Sequence, residues 1–248
     1  MIAAVLLLAL VGVWEAYAQL SGVEDIVLPA PSAILTALVD DRALLWSNFT
    51  VTAAEMGLGI LAAVVLGLAC AVAIHFSSVL RRALYPLFVS SQTIPVVLVA
   101  PLLIAWWGFG LGPKLAIVAL VCFFPIVVPT LDALDRVDPD LRKLMRTFGA
   151  SRWQTFRMVE APAALPGLLT GAKLSVAVAA IGATFAELAG SDAGLGNLMM
   201  KAIPQFETAR AFAAVLILSV FAVALFGLLA LVEKRVLPWA HQPRGTAP

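Results

Sequence analysis

The sequence predicts an all-α polytopic membrane protein with six transmembrane helices, and three observations lead there. Of 248 residues, 62% are apolar and only 12% charged, against about 45–50% and about 25% in soluble domains. Mean hydropathy is +1.01. The apolar residues gather into six runs, each near the ~20 residues that a spanning helix needs. This composition excludes disorder, a nucleic-acid-binding domain and a soluble enzyme. With 16 basic against 15 acidic residues, no global field exists to attract a polyanion.

In chain order the runs cover residues 2–18, 53–76, 84–107, 115–131, 165–188 and 211–231. The first starts beside Met1 with no basic stretch before it, so it reads as a span, not as a cleaved signal peptide. A short cytosolic tail ahead of Met1 fits the same reading. Between the first two runs, Pro31 is followed by Ile34, Leu35, Leu38, Leu44, Leu45 and Trp46. That pattern suits an amphipathic helix lying along the outer surface. The third run carries Pro95 and Pro101, and the fourth carries Pro125 and Pro129. Each proline kinks its helix and frees a carbonyl that protein or water must satisfy. The fifth run holds Gly167, Gly171 and Gly182. The Gly167-x-x-x-Gly171 spacing lets another helix approach closely, either within the chain or at a subunit interface. Cys70 and Cys122 fall inside apolar runs and read as buried thiols, not as disulfide or metal partners.

Lys and Arg positions set the orientation. One side collects Arg81, Arg82, Arg136, Arg142, Lys143, Arg146, Arg152, Arg157, Lys234, Arg235 and Arg244, eleven in all. The other has four: Arg42, Lys114, Lys201 and Arg210, while Lys173 lies within the fifth run. The asymmetry places both termini in the cytoplasm.

The polar segment at about 132–166 is the most informative stretch. Asp138 can cap a helix whose first position is Pro139. Leu141, Leu144, Met145 and Phe148 then recur on one face, and Gly149 is placed to end the helix in a left-handed turn. Ser151 can cap a second short helix presenting Trp153, Phe156 and Val159, expected to stop before Pro162. The pair either lies on lipid headgroups or offers its turn, with Arg152 and Trp153 at the tip, to a groove on a partner.

Nine residues separate Gly149 from Val159, and Pro162 follows three later. This spacing resembles the E-A-A, three residues, G, nine residues, I-x-L-P pattern of the membrane permease subunit of bacterial binding-protein-dependent ABC importers. The run Arg146, Thr147, Phe148, Gly149, Ala150, Ser151, Arg152, Trp153 is similar to the nitrate/sulfonate/taurine-type branch. So are Leu28-Pro29-Ala30-Pro31-Ser32-Ala33, Ala186-Glu187-Leu188 and Gly190-Ser191-Asp192-Ala193-Gly194-Leu195-Gly196. The resemblance runs from about residue 28 to 238. It implies the type I permease fold as one domain spanning 1–248, a homodimer, an ABC ATPase subunit as partner, and a solute-binding protein outside. It also implies that Thr147, Phe148, Gly149, Ala150, Ser151, Arg152, Trp153 and Pro162 form the ATPase-coupling element. Residues 21–52 and 194–205 would meet the binding protein. Lys143, Leu144 and Met145 replace the pattern's E-A-A, and Ala161 its Leu. The Glu that helps to hold the loop against the ATPase is therefore missing, and Glu160 is the nearby candidate to compensate.

The chain has no G-x-x-x-x-G-K-[ST], so ATP and Mg belong to the partner and no cofactor to this chain. Gly108-x-Gly110-x-Gly112 lacks the strand–helix context of a dinucleotide fingerprint. His75 and His241 are far apart, which argues against a metal site, and Asn48-Phe49-Thr50 reads as a chance sequon. Glu55 and Glu187 lie near the outer ends of their spans. Each reaches interfacial water or, for Glu187 with Ser191, faces a substrate path. Gln92 and Thr93 either line an aqueous cavity or satisfy the carbonyls that Pro95 frees. The resemblance favours a thiamine pyrimidine precursor or riboflavin as solute, on the run from Gln92 to Pro95 and from Phe123 to Val128. Alkanesulfonate, taurine and nitrate are the rivals. An ion-coupled secondary transporter would need paired mid-membrane ionisable groups, whereas these carboxylates sit near span ends or in loops. A non-transporting scaffold would not need the Gly149 turn. The expected location is the bacterial inner membrane, with lipid as the surrounding partner.

Overall fold

The computed structural model describes residues 2–241, so Arg244 of the orientation count lies outside them. No strand occurs among the described residues. The helices are α1 (Ile2–Leu20), α2 (Pro31–Asp40), α3 (Arg42–Phe76), α4 (Ser78–Ser91), α5 (Val96–Trp107) and α6 (Leu111–Asp135), followed by α7 (Pro139–Thr147) and α8 (Arg152–Thr155). A π-turn, Phe156–Glu160, leads into α9 (Ala161–Gly190); α10 (Leu195–Ala202), α11 (Thr208–Val236) and a short 3-10 turn (Pro238–His241) follow.

Helix α6 is the hub, packed between α3 and α9. Met56, Ile60 and Ala63 of α3 meet Val118, Cys122 and Ile126 of α6 and Val176, Ala179 and Ala183 of α9 in one buried cluster. Glycines let the backbones close. A Cβ at Gly171 would stand 2.5 Å from the Pro125 carbonyl oxygen and 2.9 Å from the Ile126 Cα; one at Gly167 would stand 2.6 Å from the Pro129 oxygen. The Gly167/Gly171 pair is therefore an intrachain seam against α6. Pro125 and Pro129 lie inside α6 on that seam, and Ser175 Oγ donates to the Cys122 carbonyl (3.3 Å). Both cysteines are free thiols; Cys122 is buried, whereas Cys70 is only half-buried. Helix α11 turns Val220 and Val223 outward, and α1 exposes a row of leucines, as lipid-facing helices do.

Four helical stretches are long and apolar enough to cross a bilayer: Arg42–Phe76, Leu111–Asp135, Arg152–Gly190 and Thr208–Val236. The apolar part of α1, Val5–Leu20, is shorter than these four. The third expected span is broken into α4 and α5. Pro95 lacks an N–H and disfavours the helical region for Ile94. The Ser91 carbonyl that Pro95 frees accepts from Ile94 N–H (3.2 Å), so neither Gln92 nor Thr93 supplies that bond. The second span begins at Arg42, eleven residues before the sequence boundary, because Arg42 to Thr52 continue the same helix beyond the membrane. At about 1.5 Å per residue, α3 is roughly 50 Å long, well over the ~30 Å hydrocarbon core. A short helix does follow Pro31 but ends at Asp40, so Leu44, Leu45 and Trp46 belong to α3.

The greatest departure is at Pro162. Instead of stopping, the second short helix runs through the π-turn into α9, giving one rod from Arg152 to Gly190. Proline brings no N–H to the helical ladder, and the register shifts just before it: the Ala161 N–H bonds five residues back to the Phe156 carbonyl. The turn at Gly149 therefore leads directly into the helix that forms the fifth span.

Candidate functional site

At the basic end of the bundle, local sequence chemistry builds the turn. The Asp138 carboxylate accepts from Asp140 N–H (2.8 Å), starting α7. At its other end Gly149 adopts φ +75°. Gly149 N–H donates to the Arg146 carbonyl (2.9 Å) and Ala150 N–H to that of Met145 (3.0 Å), a Schellman closure. Ser151 and Gln154 then form a capping box: Ser151 Oγ accepts from Gln154 N–H (3.2 Å), and Gln154 Oε1 accepts from Ser151 N–H (2.7 Å). No residue of α7 is buried, and Leu141, Leu144 and Phe148 expose its apolar face. Trp153 stacks on Phe156 at 5.4 Å yet stays 58% exposed. An exposed apolar face beside a half-exposed tryptophan has the composition of a protein contact.

Beneath the turn lies a buried carboxylate. Glu160, 6% exposed, pairs with Arg142 (2.7 Å) and His75 (2.8 Å). Arg142 also donates to the Leu134 carbonyl (2.7 Å), so α7 is tied to the ends of α3, α6 and the π-turn. Lys143, at the family's Glu position, pairs only with Asp140 in its own helix (2.7 Å), fully in solvent. The residue that holds the loop internally is thus Arg142 with Glu160. Arg152 donates to the His75 carbonyl (3.3 Å) and lies 5.0 Å from the Phe76 ring centre. Arg81 forms an ion pair with Asp135, whose hydrogen bond holds the guanidinium above its ordinary pKa.

The opposite end carries a second site that sequence reasoning only partly found. Glu55 (1% exposed), Glu187 (0%) and Lys114 (8%) are buried there, so neither carboxylate reaches interfacial water. Lys114 Nζ contacts Glu55 Oε1 (2.8 Å) and donates to Ser191 Oγ (2.5 Å). Glu187 accepts from Thr52 Oγ1 (2.5 Å) and from Gly196 N–H (2.6 Å) and Asn197 N–H (3.3 Å). A carboxylate on the first amides of α10 matches the positive end of that helix. Asn48 Oδ1 accepts from Gly194 N–H (2.7 Å) and Thr52 Oγ1 from Leu195 N–H (2.8 Å). The network locks the 191–197 loop onto α3, α6 and α9. Asn48 is buried within it, consistent with a chance sequon. The available signal was Asn48, Thr52 and Glu55 at spacings of four and three on one face of an apolar helix.

Of the other expected residues, Gln92 lines a cavity of about 490 Å³ with Pro95, Pro125, Val178 and Ile181, between the α4–α5 break, α6 and α9. Thr93 turns its hydroxyl to the Ser90 carbonyl (2.7 Å). Gln92 and Thr93 are therefore not assembled with Glu187 and Ser191. Lys173 pairs with Glu233 of α11 (2.5 Å). No group of three or more metal-ligating side chains exists among the described residues.

The chain is an all-helical multi-pass bundle with an exposed turn fused to a spanning helix, a build that suits a transport permease. Residues 58–238 match the family described as the binding-protein-dependent transport system inner membrane component, and the chain belongs to it. It is 34% identical over 233 residues to the formylaminopyrimidine transport permease protein ThiX of Halalkalibacterium halodurans, covering 94% of this chain and 93% of that one. To the riboflavin transport system permease protein RibX of Chloroflexus aurantiacus it is also 34% identical, over 95% of this chain and 88% of the other. To the taurine transport system permease protein TauC of Escherichia coli it is 28% identical, over 94% and 87%. The fold matches a crystal structure of an amino acid ABC transporter with histidines, at a TM-score of 0.63 and 18% identity, over 81% of this chain and 97% of that one. The chain is a non-catalytic, multi-pass permease component of an inner-membrane ABC importer.

Proposed function

We propose that two copies of this chain, beside two ATPase subunits that use ATP and Mg, form the path for a thiamine pyrimidine precursor or riboflavin delivered by a solute-binding protein. Both termini face the cytoplasm. The observation that carries this reading is the uninterrupted rod from Arg152 to Gly190. A partner gripping residues 147–153 would tilt that whole helix, and with it the loop that Glu187 holds at the far end. ATP-driven closure of the ATPases would move the turn, open the path outward and admit the delivered solute; hydrolysis would reset it. Gln92 and Thr93, at the α4–α5 break, line the path, while Glu187 and Ser191 brace its outer gate. The solute class rests on the 34% identity to the formylaminopyrimidine and riboflavin permeases, against 28% to the taurine permease.

The test is to heat the partner solute-binding protein with candidate solutes and to follow ATP-dependent uptake in proteoliposomes holding the complete transporter. A formylaminopyrimidine or riboflavin should raise the binding protein's Tm and be accumulated. Stabilisation and uptake of taurine or alkanesulfonates alone would replace the solute assignment. Uptake without the ATPase would overturn the ABC mechanism.

A further inference from the structure

Between the docking turn and the ends of α3, α4 and α6 lies a cavity of about 530 Å³, distinct from the exposed apolar face of α7. Its wall brings together Arg81, Arg142, Arg146 and Arg152 against two carboxylates, Asp135 and Glu160. Three of the arginines are held in place: Arg81 by Asp135, Arg142 by Glu160 and the Leu134 carbonyl, Arg152 by the His75 carbonyl and the Phe76 ring. Among the described residues Arg146 has no ion-pair or hydrogen-bond partner for its guanidinium, and Arg152 has no carboxylate. The cavity therefore carries two uncompensated, exposed guanidiniums: that of Arg152, held by the His75 carbonyl and the Phe76 ring, and that of Arg146, held by no partner among the described residues.

We propose that this cavity binds a phosphate-bearing anion. Guanidinium forks match phosphate oxygens in pairs. The excess of two positive charges suits a phosphodiester of charge about −1 or a phosphomonoester of about −1.5 to −2. The volume leaves room for a glycerol-sized group beyond the phosphate. Arg146 belongs to α7 and Arg152 to α8, on opposite sides of Gly149. An anion held by both ties the arms of the turn together and stiffens the element that moves the rod. Two sources share this chemistry: the headgroup of an anionic phospholipid and free phosphate. The lipid source rests on the orientation proposed above, which sets the basic end at the anionic inner leaflet; the free-phosphate source does not.

The test places the permease–ATPase complex in nanodiscs of phosphatidylcholine, with and without phosphatidylglycerol, and with and without inorganic phosphate. Hydrogen exchange at residues 142–155 and native mass spectrometry of retained lipid are the readouts. Phosphatidylglycerol, phosphate or both should slow exchange at the turn. Arg146→Glu should abolish the effect, and Arg146→Gln should weaken binding about tenfold, the equivalent of one charge-assisted hydrogen bond. Arg157→Gln, outside the cavity, should leave it unchanged. Protection by phosphatidylglycerol alone identifies lipid, and protection by phosphate in phosphatidylcholine identifies the free ion. No protection by either, or equal protection in Arg146→Glu, overturns the proposal. Loss of ATPase co-purification in Arg146→Glu with anion protection unchanged also overturns it and makes Arg146 a protein contact. Failure of uptake with normal anion binding would count against the transport mechanism and leave this site standing.

Discussion

Replacing Lys114 with methionine is expected to destabilise the folded permease by about 3–5 kcal/mol, the scale of a buried ion pair broken from one side. Lys114 and Glu55 are both at most 8% exposed and 2.8 Å apart, so the substitution leaves a carboxylate with no cation in a water-poor site. The double substitution Glu55→Gln/Lys114→Met removes both charges and should recover more than half of the loss. The measurement is thermal or denaturant unfolding of the purified protein in detergent. A single substitution costing under about 1 kcal/mol, the range of exposed pairs, would mean that the pair is not buried as described.

A single added methyl group at Gly171 should act on a similar scale. Alanine is the better helix former by about 0.5–1 kcal/mol, so propensity alone predicts stabilisation. Packing predicts the reverse, since the new Cβ would meet the Pro125 oxygen and the Ile126 Cα, backbone atoms that cannot step aside. Separating α6 from α9 should cost about 1–3 kcal/mol or more net. Gly227→Ala in α11 is the control, with nothing within 4 Å of its Cβ, and should be neutral or stabilising. Opposite signs at these two glycines, read as Tm shifts, are the expected result; equal signs would remove the α6–α9 seam from the account.

The docking turn was legible because its chemistry is local. Asp138, Pro139, Gly149 and Ser151 each act on backbone groups within five residues, and each does so where the sequence placed it. The rod through Pro162 was not legible, because a π-turn depends on one hydrogen bond that composition does not announce. The network at the opposite end was hidden for a different reason. Glu55 and Lys114 are 59 positions apart, and Thr52 and Glu187 are 135 apart. Counting Lys114 as a loop cation gave the right end of the bundle and missed its burial beside Glu55. The break between α4 and α5 falls at Pro95, where a kink was expected; instead the Ser90 and Ser91 carbonyls accept from Thr93 and Ile94 N–H in a turn.

In the proposed mechanism the turn at Gly149 transmits motion to the rod. Gly149 has φ +75° and open space around its Cβ position, so a substitution there acts through backbone strain without a clash inside the chain. Asn enters this left-handed region readily, whereas a β-branched residue is strongly disfavoured. The decisive measurement compares Gly149→Asn with Gly149→Val in the reconstituted transporter, reading ATPase co-purification and ATP-dependent uptake together. Asn should retain both, while Val should lose uptake and weaken ATPase retention with the permease still folded. Normal uptake and ATPase retention in Gly149→Val would contradict the docking assignment.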